Sequence, residues 1–257
     1  MPDQQIDPEQ FGSASSQAPS QVAYPSHVEI DLRDPDERAE SDLGPWLSAD
    51  ANLLNASAAK LAVRRALDIS VAIVGSILLL PLFVTTAIAV KTTSRGPVFF
   101  RQSRVGQHGV EFVFYKFRSM KSCAEDVRGD LLGNNECVGP IFKMRQDPRM
   151  TRVGRWIRRA SIDELPQLWH VLKGDMSLVG PRPPLTTEVA EYGEWEHQRL
   201  TVKPGITCIW QVSGRSDLDF DTWVSMDIEY VENWSLWLDL SLLLRTIPAV
   251  LTGKGAY

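Results

Sequence analysis

Two adjacent carboxylates, Asp163 and Glu164, lie in the densest run of reactive side chains in this 257-residue chain, RRASIDELPQLWHVLKGDMSLVGPRP over residues 158–183. Neighbours on a regular helix point about 100° apart, so the two would not share one proton as facing acids do. Separate roles fit them better. One carboxylate can act as nucleophile or base, and the other can bind Mg²⁺, which takes a few carboxylate oxygens and completes its shell with substrate phosphates. In isolation the same residues also suit a helix start, because acids favour a helix N-terminus and Ser161 followed by Glu164 is a capping box. The surroundings favour chemistry. Arg182 stands between Pro181 and Pro183, which fix the backbone and hold a guanidinium suited to bidentate phosphate contacts. Lys116 and Arg118, in Lys116-Phe117-Arg118-Ser119-Met120, add cations at a strand end, and Arg155, Arg158 and Arg159 lie one or two turns before the acids. Acids among fixed cations, beside an apolar anchor, describe a site for a pyrophosphate and a lipid phosphate.

Other groups carry less. Asp217-Leu218-Asp219 has the DxD form of a metal motif, but it follows Gly214-Arg215-Ser216 and precedes a helix, so a capping turn is the better reading. The four histidines, at 27, 108, 170 and 197, include no pair at metal-ligand spacing, which argues against zinc catalysis. Cys123, Cys137 and Cys208 form no CxxC pair and fit small apolar side chains in a reducing compartment.

Charge divides the chain. Residues 1–59 hold 11 acids against 2 bases, whereas residues 60–257 hold 21 acids against 25 bases. The first part, rich in Ser, Gln, Pro and acids, cannot offset the entropy of ordering and reads as a disordered acidic tail. It has no signal-peptide pattern. The basic remainder suits a phosphate ester or an anionic lipid surface, and no nucleic-acid-binding signature is present.

The reactive cluster needs elements to position it, and the first is a membrane segment over about 60–92. Residues 66–90, ALDISVAIVGSILLLPLFVTTAIAV, contain one charge, Asp68. Twenty-five helical residues extend about 37 Å, enough for a hydrocarbon core of about 30 Å. Pro81 interrupts the run and should kink it. Lys60, Arg64 and Arg65 precede it, and Lys91, Arg95, Arg101 and Arg104 follow, so the positive-inside rule sets no orientation. A re-entrant hairpin broken at Pro81 would put both flanks on the cytoplasmic side, and a spanning helix stays open on these grounds.

A compact domain over 93–257 follows. Short strands are expected at Val98–Phe100 and Phe112–Tyr115 around Gly106 and Gly109, and helical spacing covers 151–173. Residues 178–183 read as a rigid loop, 185–199 as a helix, 203–205 as a turn and 206–212 as a strand. The stretch 219–251 reads as helix with a break near Asn233. It carries Trp223, Trp234 and Trp237 and suits either an interfacial amphipathic helix or packing on the core. The fold class expected is α+β, mostly helical, with a small β element.

At these residues the sequence resembles the bacterial sugar transferase family, the small polyprenyl-phosphate phosphoglycosyl transferases that start exopolysaccharide assembly. The resemblance covers about residues 60–257. It rests on Arg64-Arg65-x-x-Asp68, GPVFFRQSRVG at 96–106, YKFRSM at 115–120 and SIDELPQLWHVLKGDMSLVGPRP at 161–183. KPGIT at 203–207, QVSGR at 211–215 and MDIEYVENWSLWLDL at 226–240 complete it. The resemblance implies the short, monotopic, re-entrant form on the cytoplasmic face of the bacterial inner membrane. It implies Asp163 as the nucleophile on a UDP-sugar, releasing UMP, with undecaprenyl phosphate as acceptor. Glu164 would bind Mg²⁺, Arg182, Arg118, Arg155 and Lys116 would steady phosphates, and Asp227 would be a further active-site acid. The Gly255-Ala256-Tyr257 ending looks most like hexose transferases, favouring galactose or glucose. Formation of a homo-oligomer stays open. Two departures stand out: Leu80 precedes the proline where some relatives have Ser, and Cys208 stands where Gly is usual.

Overall fold

The computed structural model describes residues 52–253 except 123, 125–126, 128, 137–140, 143 and 215–217. The tail expected over 1–59 therefore lies almost wholly outside the described residues, as do Cys123, Cys137, Asp217 and residues 254–257.

Two helices carry the apolar run. α1 (Ala58–Leu78) starts at Ser57, whose hydroxyl accepts from the Lys60 N–H at 3.5 Å. α2 (Leu80–Thr93) leaves it at an angle of 62°. The break falls at Leu79 rather than at Pro81. Pro81 is the second residue of α2, where an N–H would have no helical acceptor, so the missing donor is not felt. The Leu79 N–H donates to the Gly75 carbonyl (2.9 Å) and the Phe83 N–H to the Leu79 carbonyl (2.8 Å). Both sides of the break thus stay bonded without the hydroxyl that Leu80 lacks. Among the described residues no single helix is long and apolar enough to cross a membrane, whereas the bent pair together is. Ile77, Leu78 and Leu80 at the bend are exposed.

Arg64, Arg65 and Asp68 fasten α1 to the rest. The Asp68 carboxylate accepts from the Ser177 hydroxyl (2.8 Å) and the Leu178 N–H (3.0 Å). Arg64 donates to the Val179 carbonyl (2.7 Å) and the Tyr230 hydroxyl (3.0 Å), and its Nε lies 3.3 Å from Asp239. Arg65 donates to the carbonyls of Val171 (2.6 Å) and Leu172 (3.0 Å). Arg64 and Arg65, read from sequence as part of a basic membrane flank, are internal fasteners.

Beyond α2, β1 (Phe99–Val105) and β2 (Glu111–Phe117) form an antiparallel hairpin in register Phe99↔Phe117 to Val105↔Glu111. His108 (φ 55°) and Gly109 (φ 78°) take left-handed conformations in its turn, which Gly adopts freely and His tolerates better than most residues. α3 (Arg152–Arg159) comes so close to the hairpin exit that a Cβ on Gly154 would lie 1.7 Å from the Ser119 carbonyl oxygen. Helical spacing over 151–173 is broken in the structure. A left-handed Ser161 and a 3₁₀ turn at Ile162–Gln167 separate α3 from α4 (Leu168–Lys173).

β3 (Ser177–Val179) then pairs in parallel with β4 (Gly205–Thr207). The helix expected at 185–199 is two single turns, Thr186–Val189 and Glu194–His197, followed by a 3₁₀ turn. Gly193 lies between them in an extended conformation that helix cannot continue through. The strand expected over 206–212 ends at Thr207, and Ile209–Ser213 is helical. α5 (Phe220–Glu232) and α6 (Leu236–Thr252) are separated at Asn233, where the sequence placed the break. The described chain is mostly helical with two small sheets. Its main core collects Ala72, Phe114, Val171, Met176, Val179, Tyr230 and Leu242. α6 buries Leu242 and exposes Trp237, Leu240, Leu244, Ile247 and Leu251, so one face meets the core and the other is left apolar.

Arg64→Ala should cost about 3–5 kcal/mol, because it leaves the buried Asp239 carboxylate without its cation. Denaturant unfolding of the detergent-solubilised chain reads this, and a change below about 1 kcal/mol would show that Arg64 is not the fastener.

Candidate active site

The chain enters its acidic pair through strain. Ser161 sits at φ 54° before the 3₁₀ turn, a left-handed conformation that costs a non-glycine residue about 1–3 kcal/mol. The expected capping box does not form: the Ser161 side chain makes no cap, since an N-cap hydroxyl needs a β-region backbone to reach the helix N–H groups. Glu164 is thereby released, and its Oε1 accepts from Arg182 Nη1 at 3.1 Å.

Asp163 is buried on the wall of a cavity of about 1150 Å³ and accepts no hydrogen bond from the described residues. Burial and the adjacent Glu164 push its carboxyl up to about 6, against the pull of Lys116, Arg158 and Arg182. Burial and Arg158 in turn lower the Lys116 ammonium to about 7, with Asp163 acting the other way. Lys116 also lies over the Phe100 ring at 5.2 Å. Eight Lys and Arg residues but four Asp and Glu residues line the cavity among those described. That excess of positive charge suits a ligand with several anionic groups.

Arg182 is positioned by contacts between backbones. A Cβ on Gly205 would lie 2.1 Å from the Gly180 nitrogen, and one on Gly180 2.6 Å from the Lys203 carbonyl oxygen. The Gly205 N–H donates to the Pro181 carbonyl (2.9 Å), and the Gly180 N–H to Thr207 (3.0 Å). The Lys203-Pro204-Gly205 turn is thus the mould for Pro181-Arg182-Pro183. A third support is a buried arginine that sequence reading did not single out. Arg199 donates to the Arg182 carbonyl (3.1 Å), to the Tyr192 hydroxyl (2.9 Å) and, in a close ion pair, to Asp227.

The sequence-predicted residues separate accordingly. Asp163, Glu164, Arg182 and Lys116 converge on the cavity. Arg118 lines it too, but its guanidinium donates to the carbonyls of Arg95 and Ser94, fastening the end of α2. Arg155 is exposed and does not line the cavity, whereas Arg158, three residues on, does. Asp227 is buried beneath Arg182 and is not on the cavity wall, so its place is that of a support. Asp219 accepts from the Thr222 N–H (2.7 Å) as the N-cap of α5. Cys208 is accommodated with an extended backbone, its thiol directed to Gln211 at 3.2 Å. Arg104, missed as a site residue, also lines the cavity. Its signal was the two-residue alternation that puts Gln102 and Arg104 on one face of β1.

Among the described residues no group of three metal-ligating side chains occurs. A cation held chiefly by substrate phosphates needs only one or two carboxylates, and Glu164 on the cavity wall fits that need.

The profile of the bacterial sugar transferase family matches residues 59–253. This chain belongs to that family. Among sugar transferases, it is 47% identical over 199 residues to the galactosyl transferase CpsE of Streptococcus agalactiae, a match covering 76% of this chain and 44% of the relative. It is 46% identical to the undecaprenyl-phosphate galactose phosphotransferase of Salmonella typhimurium, over 76% of this chain and 42% of that protein. The chain thus spans under half the length of these two relatives. The exopolysaccharide production protein ExoY of Rhizobium meliloti is 39% identical, over 76% of this chain and 88% of ExoY. The bent pair α1–α2 except its first residue, the hairpin and the whole cavity wall fall inside the sugar transferase match.

Asp227→Asn would leave Arg199 buried beside a neutral amide. We expect a stability loss of about 3–5 kcal/mol, read as a fall in the urea midpoint with an unchanged slope. A midpoint equal to that of the parent would show that the pair does not support the site.

Proposed function

We propose that this chain transfers a hexose 1-phosphate, with galactose or glucose favoured, from a UDP-sugar to undecaprenyl phosphate, releasing UMP, as the first membrane step of exopolysaccharide assembly. The observation that carries this reading is Asp163: a buried carboxylate, free of hydrogen bonds from the described residues, facing a cavity in which Lys116, Arg158 and Arg182 supply positive charge. The names of the Salmonella and Streptococcus relatives, which specify galactose and undecaprenyl phosphate between them, support the substrate classes.

In the proposed reaction an Asp163 carboxylate oxygen attacks the β-phosphorus. The bond from that phosphorus to the bridging oxygen breaks, and the electron pair leaves with UMP. A phosphosugar–aspartyl ester remains. An oxygen of undecaprenyl phosphate then attacks the same phosphorus, the bond to Asp163 breaks, and the carboxylate is regenerated. Splitting one displacement into two lets a weak nucleophile serve two phosphate substrates in turn. Arg182 and Lys116 sit where they can neutralise charge on the transferred group. Glu164 would hold Mg²⁺, which when bound supplies further charge neutralisation on phosphate oxygens. The pairing of Glu164 with Arg182 keeps a carboxylate and a guanidinium aligned at the phosphate position.

The apolar surfaces support the placement. The bent pair exposes Ile77, Leu78 and Leu80 at its tip, and α6 exposes Trp237 and Leu251. An apolar surface of this extent is unfavourable in water. We read the bent pair as re-entrant and α6 as interfacial, which sets the cavity at headgroup level on the cytoplasmic face of the inner membrane, where a lipid phosphate resides.

The test is nucleotide release by the detergent-purified chain with Mg²⁺, undecaprenyl phosphate and a panel of UDP-sugars. UMP released with one hexose donor is the expected result; UDP would mean simple glycosyl transfer and sink the proposal. Asp163→Asn should reduce turnover by at least 10³-fold, on the order expected when a nucleophile is removed, with circular dichroism unchanged. Donor alone should add one hexose phosphate to the mass of the parent and nothing to the variant.

A further inference from the structure

Arg104 is a buried cation whose hydrogen bonds all go to neutral oxygens. It is 8% exposed and lines the cavity. Its Nη1 donates to the Pro183 carbonyl (2.9 Å), and its Nε (3.1 Å) and Nη2 (2.8 Å) both donate to Gln102 Oε1. A guanidinium has five N–H donors, so two remain after these three bonds. The ring of Phe114 lies against it at 5.4 Å, and its charge is opposed by Arg182 and favoured by Glu188 and Glu164.

Such an arrangement is unfavourable in the free protein. A charge taken out of water needs a paired counter-charge or a full set of hydrogen bonds; the carboxylates of Glu188 and Glu164 act on Arg104 only without direct contact, and two of its donors are unused. Burial, aggravated by Arg182, lowers its pKa to about 10. Fastening alone does not explain it. The loop it touches is already tied to β1 by the backbone, through the Val105 N–H to the Pro184 carbonyl (3.0 Å) and a bridge between Arg104 and Leu185. A neutral donor could serve Pro183.

We propose that Arg104 is a second phosphate-binding arginine of the cavity, which with Arg182 grips the same anionic group from β1 while Arg182 does so from the Pro181–Pro183 loop. The inference rests on the phosphosugar-transfer reading only for the identity of the phosphate. The spare donors, the lack of a directly paired carboxylate and the like charge of Arg182 suit an anion whichever reaction follows. Gln102 serves as its positioning residue, fixing the guanidinium plane through two bonds to one oxygen.

The experiment uses the full chain in detergent, with inorganic pyrophosphate and UMP as probes, and the variants Arg104→Met and Arg104→Lys. Pyrophosphate should raise the unfolding temperature of the parent. Arg104→Met should bind pyrophosphate at least tenfold more weakly while its own unfolding temperature, without ligand, is equal to or above that of the parent. Arg104→Lys, which keeps the charge but not the fork, should fall between them. Unchanged pyrophosphate affinity in Arg104→Met, or affinity lost only together with the ligand-free unfolding temperature in both variants, would overturn the proposal and leave Arg104 as a structural tie.

The source of the phosphate is read from the two half-reactions. Slower acylphosphate formation from the UDP-sugar in Arg104→Met, with weaker UMP binding, assigns the grip to the donor. Slower discharge of a preformed adduct by undecaprenyl phosphate assigns it to the lipid. Equal rates in both steps would again overturn it. If no UDP-sugar reacts with the parent at all, the proposed function fails, yet the pyrophosphate titration still decides the role of Arg104.

Discussion

Everything at this site depends on how one exposed apolar helix is fastened to a polar domain. Asp68 and Arg64 of α1 bind all three residues of β3, Ser177, Leu178 and Val179, through carboxylate and guanidinium contacts. β3 runs directly into Gly180 and the Pro181–Pro183 loop that carries Arg182. The same Arg64 reaches Tyr230 and Asp239, whose carboxylate also accepts from Tyr230 (2.7 Å) and Trp234 (3.0 Å). The apolar helix, the loop that carries Arg182 and the two last helices are thus joined through one buried polar network. Such networks fix a single arrangement because each partner, if displaced, becomes an unsatisfied buried group. The depth of the cavity relative to the apolar tip is therefore set by hydrogen bonds, since greasy contacts alone would tolerate sliding.

A second theme is charge kept without its usual partners. Away from the cavity several buried charges among the described residues are paired: Arg199 with Asp227, Asp239 with the partly buried Arg64. At the cavity the pattern changes. Asp163 accepts no bond from the described residues, Lys116 is desolvated beside Arg158, and Ser161 is held left-handed. These are unfavourable features grouped in one place, and folded proteins retain such groups where binding a ligand relieves them. The supports are placed one layer further out. Gly180 and Gly205 allow backbone to touch backbone, and Asp227 holds Arg199 against the Arg182 carbonyl.

The motifs of the family divide along this line between chemistry and carpentry. The Asp163-Glu164 pair, Arg182 and Lys116 face the cavity. Arg64-Arg65-x-x-Asp68, Lys203-Pro204-Gly205 and the Arg118 of the strand-end motif are structural, each satisfying main-chain groups of a distant segment. His170 belongs with them. Its Nε2 accepts from the Tyr115 N–H (3.1 Å), which leaves Nδ1 to donate to Asp175 (3.1 Å) and ties β2 to α4.

The sequence by itself determined the apolar run and its interruption, the acidic pair, the proline-fixed arginine and the helix pair broken at Asn233. Each is written in residues close together in the chain, where periodicity, proline and charge act locally. It also carried the family, through motifs in a fixed order. Only the tertiary structure decided which cations serve the cavity. Arg118, Arg155 and Arg158 look alike in sequence, but the first fastens α2, the second is exposed and the third lines the wall. Arg104 read as one of the basic residues flanking the apolar run, Arg199 as an ordinary helix residue, and Ser161 as an ordinary cap. The reason is physical: a guanidinium is defined by what lies within about 3 Å of it, and those neighbours come from segments many residues away.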